Sequence, residues 1–119
     1  MSSITIDQVK ITSCDTTGLA MFADVTFPAG ATNKQVFAEI GIIVRGNWVK
    51  KLPSTYMLED PDGDDRWTKS DIDSPCGFLD GKDAVAKAWA DCTILVTSDE
   101  KESAGFECDC DSMPGGGGP

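Results

Sequence analysis

The feature that most constrains this chain is strict alternation of apolar residues over its first half. Leu19, Met21, Ala23, Val25 and Phe27 fall on one phase, and Val36, Ala38, Ile40, Ile42 and Val44 repeat the pattern. A strand turns successive side chains to opposite faces, so both runs read as strands with one buried face. Between them, Pro28-Ala29-Gly30-Ala31-Thr32-Asn33 supplies a turn-rich connection. Upstream, Ile4 and Ile6 alternate, then Val9 and Ile11 resume on the other phase, which predicts one strand with a bulge or two short pieces. Downstream, Gly46-Asn47 separates the second long run from Trp48-Val49-Lys50-Lys51-Leu52. Gly and Asn tolerate positive φ, so this is a tight-hairpin signal, and Pro53, with no N–H for a ladder, should end the strand.

The second half is less regular. Residues 54–79 are loop-rich, with a short strand expected around Arg66 to Ile72. Asp80-Gly81-Lys82-Asp83 then reads as the opening of a helix: Asp80 suits a cap, and Ala84, Val85, Ala88, Trp89 and Cys92 share one helical face. Thr93-Ile94-Leu95-Val96-Thr97 fits either a last strand or an extension of that helix. From Ser98 onward, six acidic residues against Lys101, ending in Met113-Pro114-Gly115-Gly116-Gly117-Gly118-Pro119, read as a flexible tail. The expected organisation is one α+β domain over residues 1–97 and an acidic, glycine-rich tail over 98–119. The domain would be an antiparallel sheet of four to five strands with one packed helix.

Composition limits the chemistry. Histidine is absent, which excludes Ser-His-Asp and Cys-His catalysis and any zinc site containing His. No carboxylate pair or activated nucleophile is identifiable from spacing, so neither enzymatic activity nor a cofactor is expected. No apolar run approaches the roughly 20 residues that span a bilayer, and the first residues lack the basic start and apolar core of a signal peptide. The five cysteines (Cys14, Cys76, Cys92, Cys108 and Cys110) are odd in number and irregularly spaced. Reduced thiols and a cytoplasmic location are the expectation.

Net charge is −10, unevenly spread. Residues 1–55 carry five basic side chains against four acidic ones, and residues 56–119 carry five against sixteen. The second region repels a polyanion, while the first can still present a basic face. Asp60-Pro61-Asp62-Gly63-Asp64-Asp65 is rich in carboxylates but misses the EF-hand pattern: Gly63 is fourth instead of sixth, and Asp71 stands where the twelfth-position Glu belongs. It reads as a solvated turn. Cys108-Asp109-Cys110 is too close for a zinc knuckle, so no metal site is expected. One basic-aromatic cluster stands out: Arg45, Trp48, Lys50 and Lys51, with Arg66 and Trp67 downstream. Such residues can contact phosphates and stack on unpaired bases, or can be core tryptophans with solvated lysines.

The order of these segments resembles the SpoVG family (stage V sporulation protein G), small bacterial DNA- and RNA-binding regulators. The resemblance runs over about residues 4–92. It lies in Gly18-Leu19-Ala20-Met21-Phe22-Ala23-Asp24-Val25-Thr26-Phe27, the run from Val36 to Arg45, the Gly46-Asn47 turn, Pro53-Ser54, Asp62-Gly63, Arg66 and a following helix. The chain departs from the family where Thr55-Tyr56 replace the basic residues that usually follow Pro-Ser. The resemblance implies an α+β fold, a homodimer, and DNA or RNA binding through Arg45, Lys50, Lys51 and Arg66, with Trp48 or Trp67 stacking. A second reading comes from charge: an acidic protein-binding module, or a phage-type inhibitor, using Asp60, Asp62, Asp64 and Asp65 or the acidic tail against a basic surface.

Overall fold

The computed structural model describes residues 4–93 and 98–110. Eight strands follow one another: β1 (Thr5–Asp15), β2 (Gly18–Thr26), β3 (Gln35–Val44), β4 (Asn47–Lys50), β5 (Tyr56–Met57), β6 (Arg66–Ile72), β7 (Val85–Asp91) and β8 (Lys101–Glu102). A single 3-10 turn, Cys76–Phe78, is the only helical piece among the described residues. One antiparallel sheet runs β1-β2-β6; the other runs β4-β3-β7-β8, with β5 pairing β3 on the edge that β4 also uses. Their inner faces share one core. Ile6, Val9, Ile11, Leu19, Met21 and Val25 of the first sheet meet Val36, Ala38, Ile40 and Ile42 of β3 and the alanines of β7.

The alternating runs form β2 and β3 as expected. The phase change near the start is one strand, β1, with register irregularities between Ile6 and Gln8 and between Ile11 and Ser13. Each irregularity absorbs an extra residue, so Ile6, Val9, Ile11 and Cys14 all reach the core despite their uneven spacing. The hairpin turn is shifted one residue from the expected place. Arg45 and Gly46 both take positive φ, the conformation that suits the twist of a two-residue hairpin.

The α+β expectation is overturned, because no helix packs on either sheet among the described residues. Residues 85–91 are strand β7, paired with β3 from Gln35↔Asp91 to Gly41↔Val85. Ala84, Ala86, Ala88, Ala90 and Cys92 alternate with Lys87, Trp89 and Asp91, and the alanines are wholly buried. Alanine's helix propensity is worth only a few tenths of a kcal/mol per residue, and a sheet-facing stripe of small residues outweighs it by closing the core. Asp80 caps nothing. With Gly81 it forms a positive-φ turn closed by the Lys82 N–H donating to the Leu79 carbonyl at 2.9 Å, and this turn leads into β7.

Residues 98–110, which composition assigns to a flexible tail, form a strap along the free edge of β7. Lys101 and Glu102 pair with Ala88 and Lys87. Ser98 N–H donates to the Ala90 carbonyl at 2.7 Å, Ser103 N–H to Ala86 at 2.8 Å, and Phe106 and Ala84 exchange bonds at 2.9 and 3.0 Å. Between these, the Ser98 and Ser103 hydroxyls accept from the N–H groups of Ala90 and Ala86 at 2.8 and 2.9 Å. Two serines thus serve backbone donors that a regular ladder would have paired. The strap ends on two disulfides: Cys14–Cys108 ties it to β1, and Cys76–Cys110 ties it to the 3-10 turn. The expected reduced thiols are therefore confined to Cys92, which is free and buried. Cys108-Asp109-Cys110 suits this arrangement because one extended segment reaches two partners. Residues 111–119 of the expected tail, and residues 94–97 of the expected last strand, lie outside the described residues.

The Cys14–Cys108 bond closes a loop with a sequence separation of 94 residues. Replacing both of these cysteines with serine should lower stability by about 2–5 kcal/mol, read as a lower midpoint in urea. An unchanged midpoint would show that the strap does not depend on this bond. Peptide mapping without reductant should return both disulfides and one alkylatable thiol at Cys92.

Candidate functional surface

On β3 the residues opposite the core phase, Phe37, Glu39, Gly41 and Ile43, face outward. Their cross-strand partners are Met57 and Trp89 for Phe37, Lys87 for Glu39, Lys50 and Val85 for Gly41, and Trp48 for Ile43. Trp48 lies across Gly41, where a side-chain carbon would come within 2.9 Å of the indole Cε2 and collide with the Val49 carbonyl. Its Nε1 donates to the Val85 carbonyl at 3.0 Å, and the Lys87 ammonium sits 4.0 Å from the ring centroid. Trp48 therefore ties β4 to β7 over the glycine of β3, an aromatic filling the place of an absent side chain.

The cations proposed for nucleic-acid contact do not form one patch. Lys50 donates to Glu39 Oε2 at 2.9 Å on the five-stranded sheet. Lys51 lies 3.8 Å from Asp80. Arg66 is on the other sheet, where it makes paired bonds of 2.8 and 3.0 Å to Asp24 and stacks over Phe22 at 4.0 Å. The hydrogen bonds and charge of Asp24 hold Arg66 still more firmly protonated than usual. Trp67 turns toward the core, with its ring centroid 5.9 Å from that of Phe27, and its buried Nε1 finds no acceptor among the described residues. Arg45, at the tip of the β3–β4 hairpin, is exposed and has no salt bridge among the described residues.

The acidic loop organises itself. Asp60 accepts backbone N–H groups of Asp64 and Asp65, both at 3.2 Å, and Asp64 accepts the Arg66 N–H at 3.2 Å. Gly63 and Asp65 take positive φ, which closes the turn. Asp62, Asp64 and Asp65 remain exposed. Among the described residues no cluster of three or more His, Cys, Asp or Glu is placed to hold a metal ion, and no helix is long and apolar enough to cross a membrane.

An apolar row on the outer face was not singled out from the residue pattern. Phe37 and Trp89 are cross-strand neighbours with stacked rings, 5.9 Å between centroids and 26° between planes. Met57 pairs with Phe37 on its other side and is 51% exposed. Phe37 was readable as an aromatic on the polar phase of an amphipathic strand. Trp89 was concealed by its assignment to the core face of a helix.

Neither a protein-family model, a curated protein nor a solved structure matches this chain.

Gly41→Ala should destabilise the fold by about 1–3 kcal/mol, with a changed Trp48 emission, because backbone at Val49 cannot yield as a flexible side chain would. Wild-type stability with an unaltered spectrum would refute the seating of Trp48. Partial burial raises the pKa of Glu39, but hydrogen bonds from Lys50 and Thr55, with the charges of Lys50 and Lys87, outweigh it and leave the value lowered. A lowered folded pKa gives stability that is complete above the unfolded value of about 4.3 and is lost as pH falls through the folded value. Acid titration should therefore destabilise the wild type more steeply than Glu39→Gln; parallel acid limbs would remove Glu39 from the account.

Proposed function

We propose that this chain is a non-enzymatic binding module whose ligand is another protein. The observation that carries the reading is where the cations singled out for phosphate contact go: Lys50, Lys51 and Arg66 each meet a carboxylate of the fold, as does Lys87. A nucleic-acid backbone would compete with those carboxylates and with the repulsion of a chain of net charge −10. A basic protein surface gains from the same charge, and the exposed Asp62, Asp64 and Asp65 offer it carboxylates with no salt-bridge partner among the described residues. The absence of histidine, and the engagement of Asp60 and Asp64 with backbone N–H groups, support a role without catalysis.

A SpoVG-like nucleic-acid-binding regulator is the second reading, favoured by the exposed Arg45 at the hairpin tip. The compartment is also part of the proposal. Two disulfides support an oxidising environment over the cytoplasm that reduced thiols would have suited.

Fluorescence anisotropy with labelled single- and double-stranded DNA and RNA, at low and moderate salt, separates the two readings. The protein-binding reading expects no salt-sensitive nucleic-acid binding by the oxidised full chain. Binding that weakens steeply with salt and is lost in Lys50→Ala with Lys51→Ala would establish the regulator reading instead.

A further inference from the structure

We infer that the row Met57–Phe37–Trp89 on the outer face of the five-stranded sheet docks an apolar side chain of a cationic protein segment, with Asp91 and Glu102 receiving its lysine or arginine groups. This rests on the protein-binding reading above and assigns the surface and the partner's chemistry.

The row is not needed to build the core. The inner face of the same strands is already filled by Val36, Ala38, Ala88 and Ala90, all wholly buried. An antiparallel sheet with one packed face ordinarily turns polar residues to water on the other. Gln35, Glu39, Lys87 and Asp91 follow that rule, and Met57, Phe37 and Trp89 break it side by side across three strands. Stacked rings beside an unbranched, adaptable thioether are a surface that fits an apolar anchor.

Charge selects the occupant. The cations of this face are already engaged, Lys50 by Glu39 and Lys87 by Glu100 and the Trp48 ring. Asp91 follows Trp89 by one outward step, and Glu102 is the cross-strand partner of Lys87. Neither carboxylate has a salt bridge among the described residues. Nucleic acid and anionic lipid bring more negative charge, and a second copy of this chain brings a net charge of −10. A lysine- or arginine-flanked apolar segment fits both the row and its rim.

The test is anisotropy of a fluorescein-labelled peptide with a Leu-Phe-Leu centre flanked by lysine pairs, beside an oligolysine of equal charge, on the oxidised full chain. The apolar-centred peptide should bind at least about tenfold tighter than oligolysine, and Phe37→Ser with Trp89→Ser should lose about tenfold or more. Met57→Ser, an exposed change that spares the core, should lose affinity severalfold, as should Asp91→Asn with Glu102→Gln. Neutralising Asp60, Asp62, Asp64 and Asp65 to asparagine removes charge without touching the row, so it should weaken both peptides alike and leave the preference for the apolar centre intact. Equal affinity for the two peptides, or wild-type affinity in Met57→Ser, overturns the assignment. If only the Asp60–Asp65 variant loses the peptide, this surface is wrong while the protein-binding reading survives. If labelled nucleic acid binds and neither peptide does, both fall. A dimer in sedimentation that Met57→Ser dissociates would make a second copy the occupant and refute the cationic partner.

Discussion

The second edge of β7 is paired by a segment that returns from the C-terminal end of the described chain, and the outer face takes its form from that pairing. β7 sits between β3 and the strap, and its inner face is built of alanines. Such small side chains release little apolar surface to the core, so the strand gains comparatively little from burial. Its backbone groups must then be paired on both sides, since an unpaired buried N–H or carbonyl costs as much as a lost hydrogen bond. β3 serves one edge in regular register. Residues 98–106 serve the other, with serine hydroxyls at two places where the ladder breaks. Beyond them, the disulfides at Cys108 and Cys110 anchor the strap to the opposite sheet and to the 3-10 turn.

Closing that edge shapes the outer face. Glu100 and Glu102 of the strap come beside Lys87, which then bridges Glu100 and the Trp48 ring. Trp48 in turn spans Gly41 to reach the Val85 carbonyl. Cations and an indole that resemble a nucleic-acid contact set thus act as ties between neighbouring strands. Among the side chains left without such a task are the row of Met57, Phe37 and Trp89 and the rim carboxylates. The functional proposal follows from this division between side chains the fold consumes and side chains it leaves over.

Much of the first half was legible from residue order because one buried face imposes a period of two. β2 and β3 carry that period without interruption, β6 occupies its expected span, and the broken phase of β1 announced its irregular register. β7 was misread because Ala84, Ala88 and Cys92 satisfy a helical stripe while Ala84, Ala86, Ala88 and Ala90 satisfy a strand, and alanine itself favours the helix. Only the pairing with β3, remote in sequence, decides between them. The disulfides were hidden for a similar reason. Their partners lie 94 and 34 residues apart, and an odd cysteine count with a buried Cys92 disguises two pairs. Arg66 and Trp67 are adjacent in sequence, but a strand sends them to opposite faces, so a cluster drawn from sequence proximity was divided.

The most direct test of this account is hydrogen exchange at the β7 amides, followed by mass spectrometry on oxidised and reduced protein at the same pH. Residues 84–90 should be protected as well as β3 in the oxidised protein. Reduction should bring a selective loss at Ala84, Ala86 and Ala90, whose N–H groups donate to the strap, before β2 and β3 are affected. Unchanged protection of β7 after full reduction would contradict the claim that the fastened strap closes the sheet.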